Sequence, residues 1–98
     1  MAVSVTDDIR QLVKNPAVKV VKTGFAYDGV VDGRSVHNYY ISGLDKAGEV
    51  IAKAFSARQP WDFGLEVEAL LKKAGYTKIS HYVDPRGGIE GDFVYERG

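Results

Sequence analysis

The chain has 98 residues, of which 45% are hydrophobic and 27% charged, and its 13 basic residues balance its 13 acidic ones. This composition is typical of a globular protein and excludes a disordered tail, a collagen-like repeat and a coiled coil. The absence of cysteine excludes disulfides, thiolate catalysis and zinc–thiolate sites. A chain of this length supports one hydrophobic core, so we expect residues 1–98 to form a single domain.

No segment is typical of a targeting signal or a membrane span. The opening residues Met1-Ala2-Val3-Ser4 lack the basic and apolar regions of a signal peptide. No apolar run approaches the ~20 residues of a membrane helix. We therefore expect a cytoplasmic protein without membrane contact. Because a net charge near zero gives little protection against self-association, a homodimer is also compatible with the sequence.

The first predicted element is a short helix over residues 6–14. Ile9, Leu12 and Val13 lie at the i, i+3, i+4 spacing of one helix face. Pro16 ends the helix because it disfavours helical angles in the residue before it. A helix of two turns is not stable alone, so we expect it to pack through this apolar face.

Three strands joined by short turns are predicted next. The two Asp-Gly pairs, Asp28-Gly29 and Asp32-Gly33, are strong hairpin signals, and Asp45-Lys46-Ala47-Gly48 indicates a second turn. The apolar residues change parity along the first strand, which predicts a bulge near Gly24. The predicted strands, which together form an antiparallel meander, cover residues 17–27, 34–42 and 49–57.

A helix over residues 62–74 is the clearest prediction. Its apolar residues occupy one face, and Gly75 suits the left-handed position that ends a helix. These apolar residues are Phe63, Val67, Leu70, Leu71 and Ala74. Two further strands follow, over residues 77–83 and 92–96. The sequence thus predicts an α+β fold in the order αβββαββ, with an antiparallel sheet of four or five strands, the long helix packed on one face, and the short N-terminal helix.

The α-β-β-β-α order over roughly residues 6–75 resembles the topology of the double-stranded RNA-binding domain. That family places a lysine cluster at the start of its second helix to grip phosphates. The matching stretch here is Ser56-Ala57-Arg58-Gln59-Pro60-Trp61-Asp62, which holds one Arg and no Lys. The resemblance therefore does not include the phosphate-binding residues, and membership of this family is not predicted.

The candidate catalytic residues do not form a site. Ser80 and His81 are neighbours on a predicted strand, so their side chains point to opposite faces and cannot act together as nucleophile and base. Because His81 shares its parity with Ile79 and Val83, we expect it at the core or its rim. Two histidines without metal-ligand spacing make a zinc site improbable. We predict no enzymatic activity, no cofactor and no metal.

The aromatic residues point instead to binding. Trp61 and Leu65 project away from the apolar face of the long helix. Of the neighbours Tyr39 and Tyr40, one must point outward whichever sheet face is buried. Tryptophan and tyrosine are enriched at the energetic centres of protein interfaces. The predicted partner-binding residues are Trp61, Leu65, Tyr39, Tyr40 and His37.

The leading hypothesis is therefore a non-catalytic module that binds another protein. Small cysteine-free domains of this kind include inhibitors of host protein complexes encoded by phages and mobile elements, so a viral inhibitor is the specific form of the hypothesis. The alternative is nucleic-acid binding, with tyrosines stacking on bases and basic side chains on phosphates. The basic residues of this alternative are Lys19, Lys22, Arg34 and Lys53. A small oligomeric enzyme is the third hypothesis.

Overall fold

The computed structural model describes residues 5–60, 63–86 and 89–98. Every pair of neighbouring strands is antiparallel, and the sheet order is β3-β2-β1-β5-β4. The predicted α+β class, the antiparallel sheet, the two helices and the order αβββαββ are confirmed. The elements are α1 (Val5–Lys14), β1 (Val20–Val31), β2 (Arg34–Leu44), β3 (Val50–Pro60), α2 (Phe63–Lys73), β4 (Tyr76–Val83) and β5 (Glu90–Arg97).

The helix α2 is shorter than predicted. It has 11 residues and ends at Lys73 rather than at residue 74, while Asp62, the predicted first residue, lies outside the described residues. Gly75 adopts a φ of 93° directly after it, and its amide donates to the carbonyl of Lys72, which is the left-handed end predicted for this glycine. No helix in the described part of the chain is long and apolar enough to cross a membrane.

The first strand begins later than predicted because a turn occupies its expected start. The side-chain oxygen of Asn15 accepts a hydrogen bond from the amide of Ala17 at 3.0 Å, and its carbonyl accepts one from Val18 at 3.1 Å. These bonds hold residues 15–18 in a turn of the kind that asparagine favours. Strand pairing therefore starts at Val20.

The bulge predicted near Gly24 is wrong. Pairing of β1 with β2 is regular over residues 20–27, and the irregularity comes after it, where Gly29 has a φ of 102°. The predicted hairpin turn is present at Asp32 and Gly33, whose φ values of 51° and 77° are those of a two-residue turn with both central residues left-handed. Of the two Asp-Gly pairs, one makes the turn and the other lies in the irregular part of β1.

Both helices pack on the same face of the sheet. Ile9 and Leu12 of α1 and Val67 and Leu71 of α2 are almost completely buried against it. On the sheet, the buried partners are Val21, Tyr39, Ile41, Ala54, Tyr76 and Tyr95. The fold is thus a two-layer arrangement in which one sheet face meets the helices and the other does not.

Two glycines lie directly opposite aromatic residues, one on each face of the sheet. On the helix-bearing face, Phe25 lies opposite Gly91, and a Cβ at this glycine would be 2.7 Å from the Phe25 ring. On the other face, Tyr40 lies opposite Gly24 and crosses it to donate a hydrogen bond to the carboxylate of Asp92 on β5. In both pairs the missing side chain leaves the space that the ring occupies.

The edge strand β4 is exposed along almost its whole length. Ile79 and Val83 expose 55% and 44% of their surface, and His81 is exposed with them. His81 and Val83 pair with Phe93 and Gly91 and so lie on the helix-bearing face, but the expectation that His81 and its neighbours are at the core is wrong because they are not covered. The strand has a neighbour on one side only, and its register shifts between Lys78 and Ser80, so this part of the sheet extends past the packed region.

Candidate functional site

A cleft lies where the helices end and the sheet continues. At about 1.5 Å per residue α2 is about 16 Å long, whereas β1 at about 3.3 Å per residue is about 40 Å long. The helix layer therefore covers only part of this sheet face. Beside α2 the structure contains a cleft of about 670 Å³, within the size range of ligand pockets. It is lined by Thr23, Gly24, Phe25, Tyr27, Ser35, His37, Tyr39, Ile41, Gly64, Leu65, Val67, Glu68, Lys78, Ile89, Phe93 and Tyr95.

The floor of the cleft is a continuous group of aromatic rings. Phe25 stacks on Phe93 with ring centres 6.1 Å apart and lies 6.0 Å from Tyr39. Tyr39 in turn meets Phe63 of α2 edge to face at 5.1 Å. Such ring pairs are favourable at 4.5–7 Å, so the floor is held in place by its own contacts. Strands β1, β2 and β5 each contribute a ring to it.

His37 is the unusual member of this group. Its imidazole meets Phe25 at 5.3 Å and Tyr27 at 5.7 Å, both edge to face, and the residue is only 8% exposed. No group in the described part of the chain forms a hydrogen bond with its Nδ1 atom, which is shielded from solvent. A buried polar group without a partner costs about 1–3 kcal/mol, so this position is not explained by stability alone.

The charges that line the cleft cancel each other. Lys78 donates a hydrogen bond to Glu68 at 3.1 Å, and Lys72 lies 3.4 Å from the same carboxylate. The hydrogen bond from Lys78 lowers the pKa of Glu68, so this carboxylate stays ionised at neutral pH. Burial raises the pKa of Tyr95 to about 12, which keeps its hydroxyl protonated. The acidic and the basic residue of the described lining, Glu68 and Lys78, are thus paired with each other.

Three of the predicted partner-binding residues meet at the cleft. His37 and Tyr39 lie in its floor, and Leu65 stands on its helical wall with 61% of its surface exposed. Tyr40 lies on the opposite sheet face, where the hydrogen bond to Asp92 raises its pKa to about 12. Trp61 lies outside the described residues.

The basic residues of the nucleic-acid hypothesis are spread over the molecule. Lys19 precedes β1, and Arg34 begins β2 next to the hairpin turn. Lys22 and Lys53 occupy one row of the helix-free face, since each is paired with Ser42 between them. Four basic residues therefore do not form a single patch.

The strand next to Lys22 on this face carries acidic residues. The positions of β5 that share the face are Glu90, Asp92, Val94 and Glu96. Carboxylates one strand away from Lys22 repel phosphates, so the charge pattern of this face opposes a nucleic-acid backbone.

Other lining residues could not be found from the sequence. Phe25, Tyr27, Ile89 and Phe93 converge because β5 pairs with β1, a contact between segments about 70 residues apart. Local alternation in the sequence shows that a residue is on a face but not which strand lies next to it. Their only signal was their parity within each strand.

No arrangement for metal binding is found in residues 5–60, 63–86 and 89–98, where no three His, Asp or Glu side chains are grouped.

Comparison with protein-family models, curated proteins and solved structures gives no match to this chain.

Proposed function

We propose that this protein is a non-catalytic binding module that takes an apolar side chain of another protein into the aromatic cleft. The observation that supports it most is the cleft itself, a volume of about 670 Å³ over aromatic rings that the described residues leave open. Exposed apolar surface of this kind is typical of interaction sites. Burying these rings against a partner would remove apolar area from water, which favours association.

The rim of the cleft supports a protein as the partner. Leu65, Tyr27 and Ile89 line the cleft and expose 61%, 47% and 46% of their surface, so apolar area continues outside the cavity. An anchor inside the cleft would then be surrounded by further apolar contacts, as at the centre of a protein interface. A net charge of zero also fits a contact that does not depend on long-range attraction.

A module of this type would act by covering the partner's apolar residue. An inhibitor of a host protein complex, as encoded by a phage or mobile element, is the specific form that we propose. Nucleic-acid binding through Tyr40, Lys22 and Lys53 on the helix-free face is the alternative, favoured by their shared face and opposed by the acidic row on β5.

The test is a comparison of two exposed leucine-sized side chains. Leu65→Ala removes an apolar group from the cleft wall, and Ile79→Ala removes one of similar exposure from β4, outside the cleft. Wild type and both variants are used to capture partners from the native host, and the captured protein is then titrated as a pure component by calorimetry. We expect Leu65→Ala to weaken binding at least about thirtyfold, as for an interface anchor, with Ile79→Ala unchanged.

Both side chains are exposed, so neither substitution should change the melting temperature appreciably. Trp61→Ala, measured in the same way, tests the other predicted anchor. Equal affinity of Leu65→Ala and wild type would refute the cleft as the site. A partner that is a nucleic acid, with affinity falling steeply as salt rises, would favour the alternative.

A further inference from the structure

We infer that the side chain accepted by the cleft is an aromatic ring carrying one hydrogen-bond donor, as in tyrosine or tryptophan, and that His37 selects it. This inference rests on the proposed function and adds the chemistry of the partner residue. It follows from three properties of the cleft, namely the shape of its floor, the unpaired nitrogen of His37 and the balance of its charges.

The floor favours a ring over an aliphatic side chain. Phe25, Tyr39 and Phe93 already contact one another at 6.0–6.1 Å, which is the spacing of offset and tilted ring pairs. A further ring can add contacts of the same type, which contribute beyond the burial of area alone. The interior therefore matches a planar apolar group.

The unpaired nitrogen of His37 favours an occupant whose ring carries a hydrogen-bond donor. The Nδ1 atom of this residue has no hydrogen-bond partner in the described structure, although the imidazole lines the cleft and is more than nine-tenths buried. Rotation about the Cβ–Cγ bond exchanges the positions of Nδ1 and Cδ2, so the ring can present Nδ1 to an occupant without leaving its place between Phe25 and Tyr27. A phenol hydroxyl or an indole N–H can then donate to it.

The charges restrict the polar atom to a neutral group. Glu68 and Lys78 are paired at 3.1 Å on the wall of the cleft, so neither is left to bind an ion. A charged side chain brought here would lose its water without gaining an opposite charge. Neutral donors on an apolar ring avoid this cost.

The experiment uses side-chain analogues as probes on the whole protein. p-Cresol corresponds to tyrosine, 3-methylindole to tryptophan and toluene to phenylalanine. Each is titrated into ¹⁵N-labelled protein, and the amide shifts of Gly64 and Leu65 give its dissociation constant. The same titrations are made with His37→Phe, which keeps a ring but has no nitrogen, and with His37→Gln, which keeps hydrogen-bonding atoms.

We expect the preference for p-cresol over toluene to fall about tenfold from wild type to His37→Phe, the size of one hydrogen bond to a buried group, and to be largely kept in His37→Gln. In the wild type, p-cresol should also move the ¹⁵N resonance of the His37 Nδ1 atom, and toluene should not. This second measurement holds even where a variant fails to fold.

A preference that is the same within twofold in wild type and His37→Phe would overturn the role of His37 while leaving the cleft as a binding site. An unmoved Nδ1 resonance at saturating p-cresol would do the same. If no probe shifts the cleft amides at all, the proposed function itself is contradicted.

Discussion

The pairing of Phe25 with Gly91 makes a strong prediction about stability. In Gly91→Ala the new methyl group would lie 2.7 Å from the Phe25 ring and 2.8 Å from the backbone carbonyl oxygen of Tyr82. The ring can tilt, but the carbonyl belongs to the neighbouring strand β4 and moves only with it. Overpacking of this kind costs about 1–3 kcal/mol. In a domain of this size each kcal/mol lowers the melting temperature by about 4–8 °C.

Urea unfolding followed by circular dichroism measures this loss. The matched control is Gly64→Ala in α2, where the added methyl group would lie 3.6 Å from the Tyr39 ring, an ordinary contact. Because alanine favours the helix, this control should leave stability unchanged or raise it by up to about 1 kcal/mol. If Gly91→Ala unfolds within about 0.5 kcal/mol of wild type at unchanged m-value, the close approach of Phe25 and β4 is refuted.

Three further predictions concern the core and the tyrosines. Leu71→Ala should lower the free energy of unfolding in urea by about 2–5 kcal/mol because Leu71 is fully buried. Leu70→Ala should lower it less because Leu70 is only half-buried. The reverse order would contradict the packing of α2. Tyr76→Phe should cost at least about 1 kcal/mol in the same assay, because it removes the buried 3.0 Å hydrogen bond that the hydroxyl donates to the Val18 carbonyl and the 2.9 Å bond that it accepts from Arg97. No loss would mean that the two bonds together contribute nothing. The hydrogen bond to Asp92 raises the pKa of Tyr40 to about 12, so it stabilises the folded protein fully below pH 10 and this stabilisation is lost as the pH rises toward 12. Asp92→Asn should return the pKa of Tyr40 toward 10 in an NMR titration. An unchanged pKa would exclude the hydrogen bond as the cause.

Turns and helix ends could be predicted from the sequence because they depend on residues that are neighbours in the chain. The turn at Asp32-Gly33 and the helix end at Gly75 follow from residues that accept a left-handed backbone. The prediction that His37 and Tyr39 bind a partner also came from their neighbours in the sequence; both line the cleft, and their binding role stays a prediction. These features are set within a few residues of the chain.

The order of the strands in the sheet, and the burial that follows from it, could not be predicted in this way because they depend on pairing between distant segments. The insertion of β5 between β1 and β4 brings Phe93 next to Phe25 and completes the floor of the cleft. It also leaves β4 at an edge, which is why His81 is exposed although its strand alternates like a buried one. Alternation fixes the face of a side chain, whereas burial depends on which strand or helix lies above it.

The end of the β1–β2 hairpin extends beyond the strands on either side of it, which lowers its local stability. Strand pairing of β1 with β5 ends at Ala26 and that of β2 with β3 ends at Val36, so among the described residues the hairpin continues beyond them as two paired strands. Its bonds to the rest of the described chain include those of Tyr27 to Ile89 and of Asp28 to Arg58. Amide hydrogens in this arm should therefore exchange with solvent through small local openings, at rates far above those of the central strands. Tyr27 and Ser35 line the cleft from this arm, so an occupant would hold it closed. Binding at the cleft should therefore slow amide hydrogen exchange in this arm before it slows exchange elsewhere in the sheet.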